Sequence, residues 1–561
     1  MIAGLAVTGI ASSSAAVALP RSRRGTTASR GSYTEILRPP NFARGFLGLS
    51  HPIAFPHAGE EWNAEGIRLR FSLHRECMQV WVMAPRVSLT HVQLRWNAKI
   101  SENILVQGDA WERSYGDLHW ASLVPQRVMP WYFLLSSGDA LDGYGVKTGA
   151  GALCFWQIDP DGISLFLNVC NGSRGVELGD RELLAATIVA QRGEAGEDRM
   201  LAARDFCRKM CDDPRPAQII YGSNDWYYAY GQNSAEQDLR DAALMSKLAP
   251  AHGPRPFTVI DDGWDDRARF PDMPLLAEKI GDHRVRPGLW IRPLKAAPGT
   301  SERLLLPDRR FGKPLVKDRD QGLAYDPTVP EALQVVLTKA AEPVSWGYEL
   351  IKHDFTTYDL LGQWGFEMQA EPTIGDWSFY DRSKTNAEVI RDLYSALRRT
   401  VGERTILIGC NTVGHLGAGI FDAQRTGDDV SGKIWERTRR MGVNTLAYRL
   451  PQHRSFFVMD PDCVPITTET PWSCNRQWLD LVARSGVALF VSPEPAATGA
   501  EQCKAIQEAF KIAVASGSAG EAIDWQKNTT PDNWEFVGSS ESLVRKNYDW
   551  YRHSGAWPFP V

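Results

Sequence analysis

The sequence predicts an α/β TIM barrel preceded by an antiparallel β-sandwich and followed by a short C-terminal extension. Three observations carry this expectation. Up to about residue 198 the chain is a series of short alternating stretches broken by Gly, Asp, Asn and Pro turns, the texture of an all-β sandwich. At Asp212-Asp213-Pro214-Arg215-Pro216 the rhythm changes to strand, polar turn, helix, repeated. Eight strand candidates then follow before residue 505, the arithmetic of a β/α barrel. The expected divisions are 1–30, 31–212, 213–505 and 506–561.

Residues 1–20 are small and apolar, and Ala16-Val17-Ala18 fits an A-x-A cleavage pattern. The first basic residues, Arg21, Arg23 and Arg24, follow this run instead of preceding it, so the expectation is an exported chain whose leader starts upstream. The sandwich strands are read from alternation at 67–73, 78–84, 91–96, 131–135, 152–158 and 164–169. A helix over Asp198–Cys211 leads to the break. The barrel strands are expected at Ile219–Tyr221, Phe257–Ile260, Gly288–Ile291, Tyr348–Lys352, Thr405–Gly409, Ile420–Ala423, Ser455–Met459 and Val487–Val491. Helical periodicity marks Glu236–Leu248, Glu331–Ala341, Asn386–Arg399 and Arg476–Ala483 between them. After the helix-like run at 505–515 the pattern fades into polar and aromatic residues.

Composition narrows the function. With 43% hydrophobic and 23% charged residues the chain reads as an ordinary globular protein, and no stretch reaches 18 uninterrupted apolar residues, so no membrane partner is expected. A formal charge of -5 with dispersed Lys and Arg argues against nucleic acid. Twenty Trp suit surfaces that are half apolar and half hydroxyl, as a sugar is. Nine Cys and eleven His show no metal-finger, HExxH or HxH spacing, so neither a metal nor another cofactor is expected. Homo-oligomerisation is left open.

The chemistry gathers at the expected strand ends, where barrel enzymes build their sites. The fourth strand, in Gly347–Asp354, ends Lys352-His353-Asp354. Residues two apart share a strand face, so Lys352 and Asp354 point one way, and the lysine favours an ionised carboxylate. Such an aspartate can be a covalent nucleophile, or half of a capping ion pair. The other ends offer Trp226, Asp261-Asp262, Trp290, Cys410-Asn411, Arg425 with Asp428-Asp429, and Asp460-Pro461-Asp462. Paired carboxylates without a Ser-His-Asp or Cys-His order point to acid/base and nucleophilic work on a hydroxyl-rich substrate; acid-rich ends also suit Mg²⁺ or Ca²⁺.

The stretches VIDDGW (259–264), FPDMPLLAEKI to RPGLWIRP (270–293), DPTVPEAL to WGYELIKHDF (326–355), RTGDD (425–429) and MDPD (459–462) occur in the order of a known family. The chain resembles the retaining α-galactosidases of glycoside hydrolase families twenty-seven and thirty-six. GDAWERSYGDLHW (108–120) is similar to the sandwich that precedes the barrel in family thirty-six. The resemblance implies Asp354 as nucleophile and Asp429 as acid/base, four residues after Arg425, with Asp428 as the adjacent rival. It implies that Lys352, Asp261, Asp262, Trp226 and Arg425 surround the sugar, that Trp290 lines the pocket, and that Asp462 supports it. Cys410-Asn411-Thr412-Val413 departs from the C-E-W-P of family twenty-seven at the loop that reads the sugar's C2 substituent, which leaves galactose open against related sugars. The implied partner is an oligosaccharide or glycoconjugate, and the implied division of labour needs a raised pKa at Asp429.

Overall fold

The structure, a computed structural model, describes residues 33–48, 52–57, 59–138, 140–312, 322–515, 520–537, 542–553 and 555. The expected leader at 1–30 lies outside them.

Two antiparallel sheets form the N-terminal part. Strands of seven residues, Ile67–Leu73, Cys77–Met83 and His91–Asn97, bury every second side chain, as their alternation requires. The core between the sheets is rich in tryptophan: Trp62, Trp96, Trp131 and Trp156 are all almost fully buried. The helix that follows, Arg199–Met210, is capped by Asp198, whose side chain accepts from Leu201 N.

The second part is a TIM-like domain built on a nine-stranded parallel sheet. Strands one to six are Tyr221–Asn224, Phe257–Ile260, Arg286–Ile291, Leu350–His353, Ile406–Gly409 and Ala423–Arg425; the eighth is Leu489–Pro493. All are buried on both faces, as parallel strands wrapped by helices must be. The seventh is in two pieces. Val458–Asp460 pairs with the sixth strand, and Cys463–Ile466 pairs with the eighth. Between them Asp462 takes a left-handed φ of 74° and turns the chain from one edge of the sheet to the other. Ala488 N donates to Met459 O at 2.9 Å across the join. The expected strands therefore sit where the sequence placed them, shifted toward the C-terminus by about two to three residues at the first, sixth and seventh and by about two at the eighth, because doubly buried runs carry no alternation to mark their ends.

Helix Asn386–Val401 begins with a capping box, Thr385 and Glu388, and Thr385 Oγ1 also donates to Gly151 O in the sandwich, tying the two parts together. The C-terminal segment is not patternless. Helix Ala500–Ala515 precedes a small antiparallel sheet of Glu521–Ala522, Asn533–Val537 and Leu543–Asn547, whose central strand buries Trp534 and Phe536.

Candidate active site

Asp354 follows the fourth strand at the mouth of the sheet, its own N–H donating to Ile291 O of the third strand. The next residue, Phe355, takes a left-handed φ of 59°, a backbone strain that swings its N–H back onto Asp354 Oδ1 at 2.7 Å. Asn411 N donates to the same oxygen at 3.0 Å, and Trp290 Nε1 to Oδ2 at 3.1 Å. Three fixed donors on one carboxylate favour its charged form. Burial alone would push the Asp354 carboxyl up, but the charges of Arg113 and then Lys352, with these hydrogen bonds, hold it at about 2.

Lys352 does not pair with Asp354 directly. Its ammonium donates to Asp261 Oδ2 at 2.7 Å across the interior. Asp261 also accepts from Asn224 Nδ2 at 2.7 Å and Asp262 N at 3.0 Å, so it is a buried, fully engaged acceptor. Asp262 is exposed at the rim and accepts only from Gly263 N among the bonds of its side chain. Trp226 is half-buried, its ring 5.7 Å from that of Tyr230.

At the end of the sixth strand, Arg425 is buried and divides its guanidinium among Cys410 Sγ at 3.3 Å, Asp429 Oδ1 at 3.1 Å and Asp462 Oδ2 at 2.8 Å. Asp462 is accordingly a support, also accepting from Val430 N at 2.9 Å and from the Tyr227 hydroxyl. Asp428 is clamped between Arg113 at 3.0 Å and Arg437. Asp429 keeps 39% of its side chain exposed and is the acid able to exchange protons with solvent. The greater exposure of Asp429 agrees with the preference that its spacing from Arg425 gave it over Asp428.

Two expectations need correction. Asp429 does not carry a raised pKa in the open site: burial would raise it, but Arg425 and Arg113, against the repulsion of Asp354, hold it below the usual carboxylate range. Cys410 and Asn411 do not face the open site with free side chains. Cys410 is buried against Arg425, while Asn411 Oδ1 accepts from Tyr358 N at 3.0 Å and its Nδ2 donates to Glu112. They hold Asp354 and Arg425 in place from behind.

Glu112 and Arg113 were not among the expected site residues. Both come from the sandwich, in the loop over 109–118, which runs beside the sixth strand's end: Ser114 N donates to Thr426 O at 3.0 Å and Asp428 N to Ser114 O at 2.8 Å. Arg449 secures it, donating to Asp109 Oδ1 at 2.8 Å and to the Glu112 carbonyl. Glu112 is buried, bonded by Tyr115, Asn411 and Gly365 N, and pushed up to about 7 by burial. Arg113 lies 3.5 Å from Asp429 and stacks over Trp364, 5.4 Å from the ring centre. The signal in the sequence was the resemblance carried by GDAWERSYGDLHW (108–120), with the density of charge and aromatics in WERSY (111–115), but neither pointed to a place at the barrel mouth.

Among the described residues no group of three or more His, Cys, Asp or Glu is arranged to hold a metal ion.

No family model matches the sequence. Solved structures do. The α-galactosidase TtGalA from Thermus thermophilus, in complex with p-nitrophenyl α-D-galactopyranoside, superposes with a TM-score of 0.57 at 16% identity over 90% of this chain and 98% of that one. The GH36 α-galactosidase AgaA from Geobacillus stearothermophilus gives 0.56 at 11% identity over 91% and 76%. The galactosidase domain of the α-galactosidase-sucrose kinase AgaSK gives 0.56 at 14% over 91% and 75%. Across most of its length this chain has the fold of GH36 α-galactosidases.

Proposed function

We propose that the protein is a retaining, exo-acting glycoside hydrolase that releases a terminal α-linked galactose by double displacement. One observation carries the reading: Asp354 is fixed as an ionised carboxylate by three donors, and Asp429 stands near enough for the two to repel while sharing the charge of Arg113. Asp354 attacks the anomeric carbon and forms an ester as the glycosidic bond breaks. Asp429 gives its proton to the departing oxygen, then takes one from the water that cleaves the ester. A sugar filling the mouth displaces water from Asp429 and pushes its carboxyl up, which supplies the protonated form the first step needs. In this reading the exposed Asp262 accepts from a sugar hydroxyl, and the buried Asp261–Lys352 pair meets one by exchanging part of its existing bonding. The fold shared with α-galactosidases supports galactose as the sugar.

A panel of nitrophenyl glycosides, with the product anomer followed by NMR, tests this. Release of α-galactose before mutarotation is the expected result. Preferred release of N-acetylgalactosamine or β-L-arabinopyranose would keep the mechanism and change the sugar; transfer products would make it a transferase. The β-anomer first would mean inversion, loss with EDTA a metal-dependent hydrolase, and binding without turnover a carbohydrate-binding barrel.

A further inference from the structure

We infer that Arg113, supplied by the sandwich, is a positioning residue that sets the charge state of the acid/base Asp429 and so the pH range of turnover; this rests on the glycosidase reading. The guanidinium is 6% exposed, 3.0 Å from Asp428 and 3.5 Å from Asp429. It packs over Trp364 at 5.4 Å and Tyr115 at 6.0 Å, so its position is fixed by rings on both parts of the molecule. Guanidinium does not lose its proton, and the charge is permanent.

The Arg113 Nε lies 4.0 Å from the buried Glu112 of its own loop, while its two terminal nitrogens reach Asp428 and Asp429. Asp428 already has Arg437 as a partner, so Arg113 is not needed to neutralise a buried acid there. Its second prong points instead at the half-exposed Asp429, and its charge also reaches Asp354. The other groups facing Asp429 are Arg425 at the end of the strand before it, Arg437, which donates to the Asp429 carbonyl at 2.6 Å and pairs with Asp428, Asp354 and Lys352 from the fourth strand, and Tyr227 and Tyr230 after the first. Of the cations, Arg425 also answers to Asp462, and Lys352 to Asp261. Arg113 is the cation that a separate part of the chain adds to this balance. It opposes the proton that Asp429 needs for the first step and favours the ionised Asp429 of the second.

The test is the pH profile of kcat/KM in the full-length chain, with Arg113→Met, Arg113→Gln and Arg113→Lys. Removing a cation within hydrogen-bonding range raises a carboxyl by about one pH unit or more, so both limbs of the Met and Gln profiles should move upward by about that much. Arg113→Lys keeps the charge and should hold the limbs within about half a unit of wild type. Reduced amplitude with unmoved limbs would make Arg113 a structural residue only and overturn the inference. A second measurement stands apart from turnover: the carboxyl ¹³C resonance of Asp429, identified by its absence in Asp429→Asn, should titrate at higher pH in Arg113→Gln. If no glycoside is hydrolysed, the functional reading fails, yet this titration still decides Arg113; an unshifted resonance sinks it.

Discussion

The two candidate catalytic carboxylates are held in different ways. Asp354 takes its donors from the mouth of the sheet itself: the next residue, the end of the third strand and the end of the fifth. Asp429 is held by charge, from one arginine four residues before it and another more than 300 positions away in the sandwich. A nucleophile must keep one protonation state and one orientation, and short hydrogen bonds from rigid backbone provide both. An acid/base must change state twice per cycle, and a charge balance with partial solvent access permits that. The difference also explains the build of the molecule. The barrel supplies every direct donor to Asp354, whereas the sandwich adds the charge of Arg113 beside both carboxylates and lies closest to Asp429.

If this contrast is right, Asp354→Asn should have the largest effect. Activity should fall on the order of 10⁴–10⁶-fold on good and poor leaving groups alike, as when other covalent nucleophiles are removed. Substantial residual turnover in steady-state assays would place the nucleophile elsewhere. Asp429→Ala should be selective by comparison: about 10²–10⁴-fold on alkyl or sugar leaving groups, and far less on nitrophenolates, which depart without a proton. Equal losses on both classes would break the comparison at its second half.

A smaller effect probes where the two regions meet. Glu112 accepts from Asn411, whose backbone N–H in turn holds Asp354, so the sandwich also touches the nucleophile at one remove. A Cβ on Gly365 would stand 2.5 Å from Glu112 Cγ. Gly365→Ala should therefore push Glu112 off Asn411 and lower kcat by about 10–100-fold, the worth of one buried hydrogen bond to a charged group, with little change in KM. An unchanged kcat would show that the nucleophile needs nothing from the sandwich.

This contrast also governs what could be read beforehand. Leu350-Ile351 followed by Lys352-His353-Asp354 is a local pattern, and the strand with an ionised carboxylate after its end was legible from it. So were Asp261 and Asp262 after Phe257–Ile260, a strand whose ends match the expected ones. The seventh strand was legible only as one run, because its division depends on a left-handed Asp462 between two apolar pieces, which residue type does not announce. The pKa of Asp429 was misjudged because part of the positive charge on it comes from Arg113, and no spacing rule links residues on different sheets. Asp429 was preferred to Asp428 only on its spacing from Arg425, because the difference in exposure between them, with Arg437 closing on the Asp428 carboxylate, comes from tertiary contacts. The C-terminal sheet was missed although Asn533–Val537 alternates in burial, because its partner strands are short and polar.

The smallest expected effect concerns acids that lie behind the first strand, where no salt bridge among the described residues pairs them. Asp225, Asp238 and Asp241 are buried together; Asp238 shares a hydrogen bond with Asp225, and Tyr228 donates to Asp241 at 2.8 Å. Burial raises all three, Asp225 to about 6 and Asp241 to about 8. Their ordinary values in the unfolded chain are near 3.9. Between about pH 4 and 8 the folded protein therefore binds protons that the unfolded chain does not, and these groups make stability fall as pH rises. Asp354 and Asp429 contribute oppositely: their folded values are depressed, so their stabilisation is present above about pH 4 and lost on acidification. His91, His353 and His415, buried and held at about 4, also lose stability toward acid, so the wild-type curve mixes both signs. Asp238→Asn isolates one of them, since the amide can still donate to Asp225 without titrating. The difference in Tm between variant and wild type should move in the variant's favour by about 1 °C from pH 5 to pH 8, of order 1 kcal/mol in a chain of this length. A difference that stays constant across that range would mean that Asp238 does not carry the extra proton, and that the acids behind the first strand are neutralised in some way other than by burial.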